Sequence, residues 1–289
     1  HITNGNQTSG AGATDRCEFF TKLEAQTVAN SGWNYTSASS YITLSFWVKS
    51  SVAQTFKGYL YSYDGTPKSY PFETGSLSAD TWTKITKKIP GHADLTFDNN
   101  NDQGWFMSIE AFLGTDYTSG VTEDAWMTYA SGDRTADNTS TWWTTNNATF
   151  EITGVQLEVG DTATEFEHRS YGDELAKCQR YFQVVAKKGG AAYSMGCGMN
   201  QSGSLAHLVL PFYCTMRTTP SLDQLTGTNY YTLYSNGGQE TFDSWNLDAA
   251  VTTPERAGLN KTGLSITQGS GNLCRYNNAN AEIRFSAEL

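Results

Sequence analysis

The residues able to do acid–base or metal chemistry in this chain are few. Its four histidines are His1, His92, His168 and His207, and none stands in an HExxH pair. No GxSxG elbow and no Walker loop is present, so serine, zinc and phosphate chemistries lack their parts. Glu165, Glu167 and His168 cluster in TEFEH, but on a strand the two glutamates share a face that His168 does not. A solvated acidic edge with a partner for Arg169 is the simpler reading. Carboxylates paired for glycoside cleavage are spaced by the fold rather than by sequence position, and no pair stands out. The run Asp98-Asn99-Asn100-Asn101-Asp102 alternates oxygen-bearing side chains at Asp98, Asn100 and Asp102, like the start of a calcium loop. Its glycine is one place late, at Gly104, and Ile109 stands where the bidentate glutamate belongs. A polar turn is therefore expected, and a calcium ion held there would be a structural clip.

Aromatic residues carry more information. Trp142 and Trp143 are adjacent in the polar stretch DNTSTWWTTNN, where on a strand they would point to opposite faces. At least one is expected to be exposed. A flat ring covers the apolar C–H face of a sugar while nearby amides and carboxylates take its hydroxyls. Trp126 with Tyr129, and Trp245 with Tyr234, are candidates for the same role. Trp47, Trp82 and Trp105 are assigned to the core.

These residues must be positioned by strands. Ile42, Leu44, Phe46 and Val48 alternate with Tyr41, Thr43, Ser45, Trp47 and Lys49, a half-buried strand. Tyr59, Tyr61 and Tyr63 share one face of a strand that runs into Asp64-Gly65. Ile85 and Ile89 share a parity ahead of Pro90-Gly91, and residues 104–114 carry bulky residues on both faces. In residues 150–159 the apolar parity changes at Gly154, which predicts a β-bulge keeping Phe150, Ile152, Val155, Leu157 and Val159 on the core face. Ser170-Tyr171-Gly172-Asp173 is a helix-capping pattern. Tyr171, Leu175, Cys178 and Phe182 follow at helical spacing, so a short helix is expected to dock on a neighbour. Further strands are read in RYFQVV, LAHLVLPFYC, YYTLYS, ETFDSWNL, GLSITQGSG and AEIRFSAEL. The expected fold is all-β, two consecutive antiparallel β-sandwiches of jelly-roll type joined by a short helix. The divisions are an extended lead-in at 1–16, a first sandwich at 17–169, a helical junction at 170–182 and a second sandwich at 183–289.

The totals limit the partners. The chain has 289 residues with 19 basic against 29 acidic, a net charge of −10, and no basic stripe, which argues against nucleic acid. No apolar run approaches the roughly 20 residues that span a bilayer. Five dispersed cysteines show no metal-ligand spacing and are expected to be reduced and mostly buried. No cofactor is expected.

The run ITGVQLEVGDTATEFEHRSYGDELAKCQRYF resembles a junction found in many tailed-phage structural proteins, particularly distal tail-fibre or appendage proteins of marine and cyanobacterial phages. The matching positions are Ile152–Glu158, Gly160, Ala163-Thr164, Phe166-Glu167, Arg169, Glu174-Leu175 and Cys178–Tyr181. Phe182 departs from a common tyrosine. Looser agreement continues through SFWVKSS, DTWTKI, GWFMSIEAF and the terminal SAEL, from about residue 17 to the end. In that family the junction closes a carbohydrate-binding-module-like sandwich and opens a C-terminal domain. The resemblance implies a virion protein, homotrimeric, with C-terminal domains at the host-facing end and no catalytic residue. The expected function is attachment of a tail fibre to host-surface polysaccharide without cleavage. Assembly would take place in the host cytoplasm, with other tail proteins contacted through a region preceding this fragment. The alternatives are a virion spacer or decoration protein, a polysaccharide depolymerase and a secreted lectin.

Overall fold

The computed structural model describes every residue except Gln7, Thr8, Lys188, Gly190, Ala191, Ala192 and Gly237. The chain divides into two compact units, His1–Glu167 with the terminal Leu289, and His168–Glu288. Both are β-sandwiches in which every paired strand runs antiparallel to its neighbour.

The first unit comprises β1 (Ile2–Thr3), β2 (Arg16–Glu24), α1 (Ala25–Ala29), β3 (Tyr41–Ser50), β4 (Thr55–Ser62), β5 (Lys68–Ser76), β6 (Thr83–Pro90), β7 (Gln103–Leu113), β8 (Met127–Thr128), α2 (Thr141–Thr144) and β9 (Thr149–Val159). A four-stranded sheet, β1-β9-β3-β6, faces a five-stranded one, β2-β7-β4-β5-β8. Between them lie Leu44, Phe46 and Val48 from β3, Phe56 and Leu60 from β4, and Trp105 and Ile109 from β7, the inward half of each alternating pattern. Gly58 has no room for a side chain, since a Cβ there would meet the Phe72 ring and the Ser108 carbonyl. Part of the expected lead-in is a strand after all, because Ile2 and Thr3 pair with Phe150 and Thr149.

The bulge falls where the parity changes. Gly154 takes φ +61°, and the β3–β9 register slips between Ser45 and Trp47. Phe150 is buried, and Ile152 and Leu157 pack on the core, but Val155 and Val159 are exposed. Those two apolar side chains are therefore not core, although Leu157 between them packs against it.

The second unit comprises α3 (Tyr171–Gln179), β10 (Phe182–Ala186), β11 (Tyr193–Asn200), β12 (Leu205–Pro211), β13 (Ser221–Leu225), β14 (Tyr231–Ser235), β15 (Gly238–Phe242), β16 (Asn246–Leu247), β17 (Arg256–Thr262), β18 (Gly271–Tyr276) and β19 (Glu282–Ser286). A three-stranded sheet, β10-β19-β13, faces a seven-stranded one, β15-β14-β18-β11-β12-β17-β16. Ile283, Phe285 and Ala287 are inward, as their alternation requires. Of residues 263–271, expected as a strand, 263–270 form a connection between β17 and β18, with Gly263 and Gly269 both at φ +76°. α3 is capped as its sequence predicts: Ser170 Oγ accepts from Asp173 N at 3.2 Å and donates to Asp173 Oδ2 at 2.7 Å. It is not docked by its apolar stripe, since none of its residues is buried and Tyr171 is 82% exposed. All five cysteines are free thiols and only Cys274 is buried, so the expectation of mostly buried thiols fails.

Candidate carbohydrate-binding face

Most of the rings proposed for sugar binding are consumed by packing. Trp142 is fully buried. Its backbone N–H donates to Gln54 Oε1 at 2.9 Å and its indole N–H to the Thr149 carbonyl at 3.0 Å. Adjacent indoles on a helical turn are splayed rather than opposed, so Trp142 plugs the core while Trp143, half-buried, lies 5.1 Å from Phe112. Trp245 is also core, so it forms no exposed pair with Tyr234. The Tyr234 ring reaches the surface and is covered by Arg275 at 5.0 Å. Trp126 donates to the Pro90 carbonyl at 2.7 Å and meets Tyr70 edge-on. Tyr129 stacks on Tyr61 at 4.2 Å.

The oxygen-rich run 98–102 seats α1. The carbonyls of Asp102 and Asn100 accept from Ala25 N at 2.8 Å and Gln26 N at 2.9 Å, and Asn100 Oδ1 accepts from Asp102 N at 3.1 Å. Among the described residues no three His, Cys, Asp or Glu side chains are grouped to hold a metal ion. The Arg169 guanidinium pairs with Glu174 at 2.7 Å.

The outer face of the five-stranded sheet is aromatic but roofed. Register across β2, β7, β4 and β5 lines up Glu18, Glu110, Lys57 and Glu73 in one row, and Phe20, Ser108, Tyr59 and Pro71 in the next. Parts of residues 114–140, on either side of the edge strand β8, lie over it. A bridge between Thr118 and Thr135 braces that segment internally, and Asp124 N donating to the Pro71 carbonyl at 2.8 Å ties it to β5. Glu123 on the roof pairs with Lys57. Tyr59, Tyr61 and Phe106 form a small closed cluster, and Glu110 has no solvent contact. Burial, then the Glu18 carboxylate opposite, pushes the Glu110 carboxyl well above its ordinary range; Arg134, Thr135 and Lys57 oppose this. The Glu110 carboxyl thus lies buried beneath this covering segment.

The outer face of the four-stranded sheet is half roofed and half open. Gln156 and Glu158, on β9, clamp residues 160–167 over its upper half. Glu158 Oε1 accepts from Thr164 N at 2.8 Å, Glu158 Oε2 accepts from the Thr164 hydroxyl at 2.7 Å, and Gln156 Oε1 accepts from Glu167 N at 2.8 Å. Thr43 and Ser45 are buried beneath this segment. The lower half stays open. Register places Thr153, Trp47 and Lys84 side by side on β9, β3 and β6. Continuing it one pair beyond Val48 and Thr83 sets Glu151, Lys49 and Trp82 in the adjacent row. Lys49 Nζ lies 2.9 Å from Glu151 and 5.2 Å from the centre of the Trp82 ring. Trp47 is 43% exposed and Trp82 is 41% exposed. Both were assigned to the core, yet Trp47 has the outward parity of β3, so the alternation carried the signal. Six neighbouring positions therefore present two indoles, two ammonium groups, a carboxylate and a hydroxyl, the chemistry a saccharide needs.

No family model and no curated protein matches the chain. Among solved structures it is similar to oxalate decarboxylase from Bacillus subtilis at pH 4.6, at 6% identity and a TM-score of 0.11, over 98% of this chain and 77% of that one. A likeness of that size carries no functional argument.

Proposed function

We propose that this chain is a virion protein, the distal part of a phage tail-fibre appendage that attaches to host-surface glycan without cleaving it. The junction run 152–181 supports the appendage, its homotrimeric state and its assembly in the host cytoplasm through resemblance. The observation that supports glycan attachment is the open Trp47–Trp82 face. Two rings on one flat sheet, with Lys49, Lys84, Glu151 and Thr153 beside them, offer stacking and hydroxyl partners together. Three copies per fibre multiply a weak single-site affinity.

The test is a titration of host-surface polysaccharide followed by tryptophan fluorescence, on the wild-type chain and on Trp47→Ala and Trp82→Ala. Each substitution is expected to weaken binding by up to about tenfold, the upper end of the ~0.5–1.5 kcal/mol that an aromatic contact adds, with no reducing ends released. Wild-type affinity in both variants would remove the glycan from this face, and release of reducing ends would make the chain a depolymerase.

A further inference from the structure

We propose that the saccharide taken by the open face of the four-stranded sheet is an acidic one, its carboxylate or sulfate held by Lys84 while a sugar ring covers Trp47. The inference deepens the glycan attachment of the proposed function and rests on it.

The side chains of this face divide by what already engages them. Lys49 Nζ is taken by Glu151 at 2.9 Å and by the Trp82 ring, and Glu151 also has His1 at 3.7 Å. Of the other lysines on β6, Lys87 pairs with Asp124 at 3.0 Å and Lys88 with Asp161 at 3.1 Å. Lys84 differs. It is exposed, and among the described residues no carboxylate lies within ion-pair distance of it. Its charge is felt at Glu158, but the oxygens of that carboxylate are occupied by Thr164 and Gln156. Trp47, directly across the β3–β6 ladder from Lys84, is likewise free. Among the described residues its indole meets no other ring and donates no hydrogen bond. The bulge keeps its other flank clear, since a Cβ at Gly154 would come within 3.4 Å of the Trp47 ring.

Charge selects the ligand. A neutral saccharide asks only for a flat apolar ring and partners for its hydroxyls. An unpaired ammonium beside that ring adds a contact that only an anion uses fully. Cross-strand partners hold their Cβ atoms about 5 Å apart, so an acid group on a sugar stacked over Trp47 falls within reach of Lys84. The whole chain, at a net charge of −10, repels a polyanion at long range. At physiological salt that field is screened beyond about 8 Å, and local charge decides the contact. Here Lys49 and Glu151 cancel, which leaves Lys84 in excess.

The test is a titration of the full chain followed by tryptophan fluorescence, with polygalacturonate, dextran sulfate and neutral dextran as the probes. Wild type is compared with Lys84→Met and Lys84→Arg, and with Lys177→Met on α3 as the control for a charge lost elsewhere. Both lysines are exposed, so these substitutions cost the fold little, and circular dichroism checks this. At least one polyanion is expected to bind more tightly than dextran and to weaken as salt rises from about 0.01 to 1 M. Its affinity is expected to fall roughly fivefold in Lys84→Met, to be restored in Lys84→Arg and to stay at the wild-type level in Lys177→Met. Preference for polygalacturonate assigns the acid group as a carboxylate, and preference for dextran sulfate assigns it as a sulfate. Dextran bound as tightly as either polyanion overturns the acidic class and leaves the glycan face standing, as does polyanion binding that Lys84→Met does not weaken. Binding of neither polyanion also overturns the inference; the glycan reading is then decided separately by the host-polysaccharide titration of Trp47→Ala and Trp82→Ala.

Discussion

At the scale of single residues, Glu110 is the most sharply constrained group. It is fully buried, directly opposite Glu18 across the β2–β7 ladder, and its carboxyl is held above the ordinary 4.5 by burial and by that neighbour. A raised folded value means the native chain keeps a proton the unfolded chain has lost. Stability is therefore greatest below pH 4.5 as far as this group is concerned, and falls as pH rises towards the folded value, at up to about 1.4 kcal/mol per pH unit. Glu110→Gln keeps the shape and removes the titration. Its melting temperature at pH 7 is expected to exceed that of the wild type, and its stability to lose the downward slope above pH 4.5. Thermal melts of both chains across pH 4–8 check this, and parallel slopes would show that Glu110 ionises freely. Trp142 and Trp47 make the complementary point. One indole is sealed in the core and the other lies on the surface, and only the second was signalled by alternation.

At the scale of elements, β9 and the segment after it explain much of the junction run physically. Gly154 supplies the left-handed φ that the bulge needs, a conformation that costs other residues roughly 1–2 kcal/mol. Gln156 and Glu158 then spend their side chains on residues 164–167. For Glu158, burial raises the carboxyl value, but the Thr164 amide, the Thr164 hydroxyl and Gln156 together bring it below the ordinary 4.5. A lowered folded value places the stabilisation above pH 4.5 and removes it as pH falls through the folded value. Amide exchange should report the clamp directly. In Gln156→Ala and Glu158→Ala the Glu167 and Thr164 amides, respectively, are expected to exchange several-fold faster, while core amides of β3 and β7 keep their protection. Acidifying the wild type below pH 4.5 should open the Thr164 amide in the same way. Unchanged exchange would mean the segment is held by something else. The motif residues thus act as a local fastener, which is why no catalytic part could be read from them.

At the scale of the molecule, two sandwiches each bury a core of their own. The contact division falls between Glu167 and His168, immediately before Arg169, which lies in an exposed stretch ahead of α3. Trypsin at limiting concentration is expected to cut first after Arg169 and to leave two resistant fragments that match the units in mass. Progressive loss of either fragment at the rate of the first cut would show that one unit needs the other to stay folded.

The sequence by itself determined most of the strands, the inward faces of β3 and β19, the bulge at Gly154, the Ser170 cap and the all-β sandwich class. Each follows from period-two alternation or from a backbone demand that only nearby residues meet. The sequence did not place the rings. Whether Trp142 plugs a core, Trp126 caps Tyr70 or Tyr129 stacks on Tyr61 depends on which strands become neighbours and which loop folds back over a face. Burial is a property of partners distant in sequence. The same reason hid Trp82 as the neighbour of Trp47: that patch is made by register across strands, and only the tertiary structure fixes register.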